Sequence, residues 1–341
     1  MAKIRFIGSK TRISKAILDR IGEPSGEDSR FVDAMCGSGA IAVEAAQRGW
    51  PIVINDFLKS SVVMTKSRLL SEENVPFENL GGYPNAVSKL NEVEEVKGFF
   101  HGQYSETAER PYFTDKNAMK IDGMRMQIRH WVAESLISRE EHELLIGDLM
   151  MSVNQVANTA GTYGCFMKKL QRNAEKQIVI EARTLLPTKL DILNFTGDVS
   201  SLHHHIRSGD IVYLDPPYTK RQYAAYYHIL ETIAEDSEPS VGGVTGLRDW
   251  KNQKSDFCYK TKALSAIVKL VESLRNAKKI YLSYSNTSHV PIERLLGALQ
   301  DIDEVKVSIH KVGEISDYTP SQKASENREN VEEWLFEVHN P

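Results

Sequence analysis

Apolar residues along this chain fall into two kinds of run. Short continuous runs, Phe31-Val32, Ile52-Val53-Ile54, Ile211-Val212-Tyr213-Leu214 and Ile280-Tyr281-Leu282, have no polar face and read as strands buried on both sides. Between them apolar residues recur at helical spacing, at Ile13, Ala16, Ile17 and Ile21, and at Ile41, Val43, Ala45 and Ala46. The pattern predicts helices over 10–21 and 57–70 and strands over 31–35 and 51–55. Such alternation implies a mostly parallel sheet with right-handed crossovers. The pattern changes at Gly81-Gly82-Tyr83-Pro84, which breaks regular structure. A polar helix is expected over 85–97, a loop-rich stretch over 98–123, and helices over about 117–136 and 139–158. The segment 157–164, rich in glycine and threonine, reads as a loop. The sheet resumes near Ile192. Runs at 305–310 and 331–338, joined by a polar loop at 313–330, read as an antiparallel edge hairpin. Residues 236–246 read as a polar loop. The division expected is therefore a sheet domain over 1–80 and 191–341 and a mainly helical insert over 81–190.

The chemistry concentrates at strand ends. Asp215, Pro216, Pro217 and Tyr218 follow the run that ends at Leu214. In an open α/β sheet the carboxyl end of a strand is where ligands bind. The prolines lack N–H groups and fix φ, so the turn is rigid and rich in acceptors. Asp215 and the Pro216 carbonyl can both accept hydrogen bonds from one exocyclic amine, and Tyr218 can stack on a flat heterocycle. That set suits an amino-bearing base drawn out of a nucleic-acid stack. The plainer alternative is a turn closed by two prolines.

A second strand end carries Asp33, then Cys36-Gly37-Ser38-Gly39 and a helix. Glycines let backbone approach a ligand, and a helix N-terminus offers free N–H groups. The third glycine of the dinucleotide fingerprint and the Lys-Ser/Thr of a phosphate loop are both missing. Asp33 beside a glycine loop fits a cofactor with a cationic amino-acid end, and S-adenosylmethionine is that cofactor. Asp56, about 20 residues beyond the loop, stands where ribose hydroxyls are gripped in nucleoside-binding sheets. It could equally cap the following helix.

In combination these motifs resemble the Dam-like (alpha-group) DNA adenine-N6 methyltransferases. The resemblance rests on the order Phe6-Ile7-Gly8-Ser9-Lys10, Phe31 to Gly39, a long insert, then Asp215 to Tyr218. Three further stretches match relatives with a similar insert: Arg110-Pro111-Tyr112-Phe113-Thr114, Asn158 to Gly164, and Tyr226 to Thr232. Met35 stands where many relatives carry an aromatic residue. The resemblance implies an S-adenosylmethionine-dependent methyltransferase (Rossmann-like) α/β sheet and a target-recognition insert. It implies methyl transfer to the N6 amine of an adenine flipped out of duplex DNA, by a modification enzyme of a restriction–modification system or an orphan methylase. It further implies cofactor contacts from Phe6, Ile7, Gly8, Ser9 and Lys10, with Lys10 near the methionine carboxylate. Asp33 would face the methionine amino group and Asp56 the ribose. Cys36, Gly37, Ser38, Gly39 and Phe57 line the same motifs, and Asp198 with Val199 would meet the cofactor's adenine. Asp198 could also be a turn-forming residue after Gly197. Cytosine-N4 and RNA adenine-N6 methylation use similar amine chemistry, and a catalytically dead nucleic-acid-binding module is the non-enzymatic alternative.

Composition adds limits. Of 341 residues 41% are hydrophobic and 26% charged, ordinary for a globular chain. No run of 18 apolar residues is present, so no membrane helix is expected. Cys36, Cys165 and Cys258 are too few and too scattered for a disulfide framework, which points to the cytoplasm. No Cys/His spacing suggests a metal, and His203-His204-His205 reads as a solvated helix end. The net charge of −4 is awkward for a DNA binder, but phosphate contacts need only local positive charge. Lys3, Arg5, Lys10, Arg12, Lys15 and Arg20 oppose only Asp19 in residues 1–20. Lys168, Lys169, Arg172, Lys176, Arg183 and Lys189 oppose Glu175 and Glu181 in residues 161–190. Tyr163, Lys168 and Lys169 are the expected DNA contacts of the insert. Tyr223 and Tyr227, at i, i+4 spacing, are candidates to line the flipped-base pocket. The expected partners are double-stranded DNA and a cognate restriction endonuclease, with the chain itself a monomer or weak dimer.

Overall fold

The computed structural model describes residues 6–26, 28–316 and 330–340. Lys3, Arg5 and most of the polar loop expected at 313–330 lie outside the described residues. The strands are β1 (Phe31–Asp33), β2 (Ile52–Asp56), β3 (Ile192–Thr196), β4 (Ile211–Leu214), β5 (Val241–Gly242), β6 (Leu247–Arg248), β7 (Lys279–Ser285), β8 (Lys306–Ser316) and β9 (Asn330–His339). The helices are α1 (Ser14–Ile21), α2 (Ala40–Gln47), α3 (Lys59–Ser67), α4 (Tyr83–Glu92), α5 (Phe99–Tyr104), α6 (Asp115–Ala133), α7 (Arg139–Val156), α8 (Tyr223–Tyr226), α9 (His228–Ala234), α10 (Ala263–Ser273) and α11 (Ile292–Gln300). No helix among the described residues is long and apolar enough to cross a membrane.

Two units pack separately. One comprises residues 9–57, 191–222 and 253–341; the other comprises 1–8, 58–190 and 223–252. The first holds a seven-stranded sheet in the order β3-β2-β1-β4-β7-β9-β8. Its first five strands are parallel and β9 is antiparallel to both neighbours. This is the expected mixed architecture, mostly parallel with an antiparallel edge. β1 and β4 are buried at every position, as their unbroken apolar runs require. The core gathers Val32, Val212, Leu214, Ile280, Leu282 and Phe336 from the sheet with Leu270, Val271 and Leu295 from helices.

Register places the functional ends. Phe31, Val32 and Asp33 lie beside Ile211, Val212 and Tyr213. Asp33 and Asp215 therefore emerge from neighbouring strands at their carboxyl ends. Because β9 runs the other way, its early residues arrive at that same end, with Glu333 paired to Ser285 of β7.

The second unit is mainly helical, as expected, and has a core of its own. Leu144, Leu145, Leu149 and Val153 of α7 pack with Val63, Met64, Ile121, Phe100 and Ile229. α7 begins with a reciprocal capping box between Ser138 and Glu141. Gly147 brings α7 close to α3, since a Cβ there would lie 2.3 Å from the Ser67 hydroxyl. α3 is buried at every position after Lys59. Its first two N–H groups, on Lys59 and Ser60, both donate to the Glu231 carboxylate at 2.9 Å. The packed units part at Leu58 instead of residue 81, and the segment 223–252 belongs with the helices. Three local expectations also change. The helix predicted over 10–21 is a short 3-10 turn over Lys10–Arg12 followed by α1. The stretch expected to be loop-rich contains α5, whose phenylalanines pack into the core. The loop expected at 236–246 carries β5, paired with β6.

Candidate active site

In the sheet unit, β1 delivers Asp33 to a buried position. Asp33 is 1% exposed. Its Oδ2 accepts the Ala42 N–H at 3.1 Å, while Oδ1 has the Met35 amide nearby but no well-formed hydrogen bond. Burial pushes its pKa up to about 8, and the negative fields of Asp215 and Asp56 add to that. A buried carboxyl with an unmatched oxygen favours a cation beside it. The glycine loop follows. Gly37 and Gly39 both have positive φ, +50° and +76°, which lets the chain turn sharply into α2. Cys36 is buried; its N–H donates to the Asn55 carbonyl at 2.9 Å and its carbonyl accepts from Gly39 at 2.7 Å. The Ser38 hydroxyl lies 3.1 Å from the Ser9 hydroxyl, so the N-terminal motif reaches the glycine loop.

Asp56, at the end of β2, is half-buried and accepts the Gly37 N–H at 2.9 Å. It fastens the glycine loop. Phe57 is half-buried beside it. Asp198 is exposed and accepts the Ser200 N–H at 2.8 Å, so it does cap the 3-10 turn Val199–His205, while Val199 itself packs in the core.

The fourth strand delivers Asp215. Its side chain is 18% exposed, and Lys10 Nζ donates to both oxygens at 2.8 and 2.9 Å. Lys10 is only 3% exposed. Burial alone would lower the lysine pKa, but Asp215, Tyr218 and Glu333 reverse this and hold it well above its ordinary value. The ammonium lies 5.4 Å from the centre of the Tyr218 ring. Lys10, expected near the methionine carboxylate, is thus engaged with Asp215. Glu333 completes the cluster and was not foreseen. It is 1% exposed and lies 3.5 Å from Lys10 Nζ. Tyr218 and Ser283 donate their hydroxyls to its two oxygens, each at 3.4 Å. Burial drives the Asp215 and Glu333 carboxyls upward, and Lys10 opposes both shifts. Pro216 is buried behind Asp215, and Pro217 is half-buried.

The helical unit gathers the remaining motif residues. Phe6 stacks on Tyr227, with ring centres 4.4 Å apart and planes within 11°. The Ile7 N–H donates to the Tyr227 hydroxyl at 2.7 Å, and the Tyr223 hydroxyl donates to the Ile7 carbonyl at 3.3 Å. Tyr223 and Tyr227 share a face, with rings 5.9 Å apart, and that face holds the segment ending at Gly8. The Tyr223 hydroxyl also crowds Gly8, whose φ is +72° and where a Cβ would lie 3.1 Å away.

Tyr163 requires a correction. It was expected to touch DNA, yet it is 1% exposed, because its ring is part of the core. Its carbonyl accepts from the Tyr112 hydroxyl at 2.8 Å and from His228 Nε2 at 3.0 Å, and its N–H donates to the Tyr226 carbonyl at 2.9 Å. Burial lowers the His228 pKa to about 4, so the ring is neutral with its proton on Nε2. Asn158 bonds to the Pro111 and Tyr112 carbonyls. The three extra stretches of resemblance therefore assemble into one buried polar hub. Lys168 and Lys169 are exposed, as are Arg172 and Lys176, on irregular chain and not on a helix face. Arg183 is withdrawn from that basic set by its pairing with buried Asp148 at 2.9 Å.

Comparison with known proteins gives one consistent result. A family model described as D12 class N6 adenine-specific DNA methyltransferase matches residues 6–295. Modification methylase StsI of Streptococcus sanguinis is 31% identical over 98% of this chain and 52% of its own length. Modification methylase LlaI of Lactococcus lactis subsp. lactis is 34% identical over 86% of this chain and 48% of its own. The chain thus spans about half the length of these two relatives. Type II methyltransferase M.CviAII of Paramecium bursaria Chlorella virus 1 is 29% identical over 99% of both chains.

Proposed function

The chain belongs to the D12 class of N6 adenine-specific DNA methyltransferases, and from that membership we propose that it methylates the N6 amine of an adenine flipped out of duplex DNA. The observation that carries the reading is the state of Asp215. Both oxygens already receive N–H donors, from Lys10, at the carboxyl end of a central strand and beside an aromatic ring. An adenine amine offers the same kind of donor at the same place. Asp215 and the Pro216 carbonyl would hold the two amine hydrogens, turning the nitrogen lone pair away from the ring, and Tyr218 would stack on the base. Extruding the base costs a few kcal/mol, and stacking offsets about 1–3 kcal/mol of it. As the nitrogen lone pair forms its bond to the methyl, the methyl–sulfur bond would break with its electron pair left on sulfur as a neutral thioether, and the nitrogen would give up one proton to water; the buried negative charge of Asp215 favours the passing positive charge.

The methyl source in this reading is S-adenosylmethionine, which supplies an electrophilic methyl on a sulfonium. Asp33 fits its ammonium, because a buried carboxyl with an unmatched oxygen is relieved by a cation. Gly37, Ser38 and Gly39 would pass close to the amino-acid end, Asp56 would take the ribose hydroxyls, and Asp198 would take the adenine amine. In the same reading Lys168 and Lys169 contact phosphate, which positions the protein without reading bases. The cellular setting is the cytoplasm, with the chain a monomer or weak dimer serving as the modification partner of a restriction endonuclease.

Labelled-methyl transfer to duplex DNA, cytosine-only DNA and RNA, followed by nucleoside analysis, tests this. N6-methyladenine formed on duplex DNA is the expected product. N4-methylcytosine, methylated RNA as the preferred product, or no transfer at all would each overturn it.

A further inference from the structure

Lys10 creates a difficulty for the reaction just proposed. The target amine needs Asp215, and a nearly buried ammonium already occupies both of its oxygens. Pulling that ammonium away with no second anion would strand a buried charge. The structure supplies the second anion. Glu333 lies 3.5 Å from Lys10 Nζ, on the antiparallel strand whose early residues reach the carboxyl end of the sheet. Its orientation is fixed by the Tyr218 and Ser283 hydroxyls. Glu333 also shares Tyr218 with the proposed base pocket, so one ring touches both the seat of the base and the second carboxylate.

Resting on the adenine reading, we propose that Glu333 is a positioning residue that takes over the Lys10 ammonium when the adenine amine claims Asp215. The lysine changes carboxylates without leaving the buried cluster. The charges support the exchange. Asp215, Glu333 and Lys10 sum to one negative charge, and the amine entering is neutral. The cluster therefore stays negative beside a nitrogen that becomes positive as it is methylated. Glu333 bonds to no reacting atom; it acts through Lys10.

The test compares binding to two duplexes, one with adenine and one with purine at the methylated position, in the presence of S-adenosylhomocysteine. Purine lacks the amine, so the ratio of affinities reports the amine's hold on Asp215. The chain is used unaltered and as Glu333→Gln, Lys10→Gln and the double variant, with methyl transfer measured alongside. In Glu333→Gln the lysine loses its second carboxylate, and preference for adenine should fall about tenfold; in the Lys10→Gln background the same change should alter it by less than about twofold. Glu333→Asp keeps the charge and should retain most of the preference; if Glu333→Gln does not fold, Glu333→Ala, which also removes the carboxylate, takes its place and is read as Glu333→Gln is. An unchanged preference in Glu333→Gln, or an equal fall in both backgrounds, overturns the exchange. If the unaltered chain methylates adenine, such a result leaves the functional reading standing. If it transfers no methyl to adenine, the functional reading falls, and the exchange with it.

Discussion

Asp33 offers the sharpest test of where the methyl donor binds. Its carboxyl is 1% exposed and titrates near 8, against an ordinary value of 3.8. A ligand ammonium at this site needs the carboxylate form. With a pKa of about 8, roughly 1% of the sites are ionised at pH 6 and about 9% at pH 7. Affinity for S-adenosylmethionine should therefore rise about ninefold across that unit, with uptake of the ligand releasing close to one proton. The window stays below the range, about 7.7–8.0, in which an α-amino group loses its own charge. Titration calorimetry at pH 6 and 7, in buffers of different ionisation enthalpy, measures both quantities. Asp33→Asn should bind weakly and show no such slope. The stability of the ligand-free chain carries the same signature. The folded-state pKa lies above the unfolded one, so the contribution is complete below about pH 4 and is lost as pH rises through about 8. That loss is on the order of 5 kcal/mol at most, and Asp33→Asn should escape it. The unfolding midpoint of the variant should thus exceed that of the unaltered chain at pH 8 and not at pH 4. A flat affinity between pH 6 and 7, or an equal slope in the variant, would refute the reasoning.

Further outcomes follow from neighbouring residues. Asp215→Ala should abolish methyl transfer while leaving methyl-donor affinity within about threefold, since its proposed partner is the amine; a parallel loss of donor binding by calorimetry would show the role is wrong. Asp56→Ala removes both the proposed ribose acceptor and the anchor of the Gly37 N–H. Donor affinity should fall by about 1.5–3 kcal/mol per lost bond with duplex affinity little changed, and unchanged donor affinity would sink the assignment. Neutralising exposed Lys168 and Lys169 should weaken binding to all duplexes alike and flatten the log–log salt slope by about one unit per lost phosphate contact. An unchanged slope, measured over several salt concentrations, would move the DNA track elsewhere.

The centre of the sheet was legible because β1, β2, β4 and β7 are short, largely apolar and buried, a pattern with few alternatives. Asp33, Asp56 and Asp215 were legible for the same reason, since each sits where such a run stops. Glu333 was not. It lies more than 300 residues from Lys10, and nothing local in Glu332-Glu333-Trp334 distinguishes the buried acid from the half-buried one. Only the antiparallel register of β9 brings it to the site. Tyr163 was misjudged for a related reason. A tyrosine in a glycine-rich loop resembles a contact residue until the partners of its backbone are known, and those partners, Tyr112, Tyr226 and His228, are scattered in sequence. The boundary at Leu58 was hidden because α3 buries polar residues, Ser60, Ser61, Thr65, Lys66 and Ser67, and the partner of Lys66, Glu143, lies far along the sequence in α7.

The position of β9 between β7 and β8 has a consequence for synthesis of the chain. β8 leaves the ribosome before β9 does, yet it has no place in the sheet until β9 arrives, because β9 is its only neighbour there among the described strands. Until then β7, with Ile280, Tyr281 and Leu282, presents an unpaired apolar edge to the cell. The same late strand brings Glu333 to Lys10, which is translated more than 300 residues earlier. A nascent chain thus carries its glycine loop and Asp215 well before the lysine has a second carboxylate. The proposed exchange of partners at Asp215 therefore requires the closed sheet, since a chain without β9 in place lacks the Glu333 carboxylate beside Lys10.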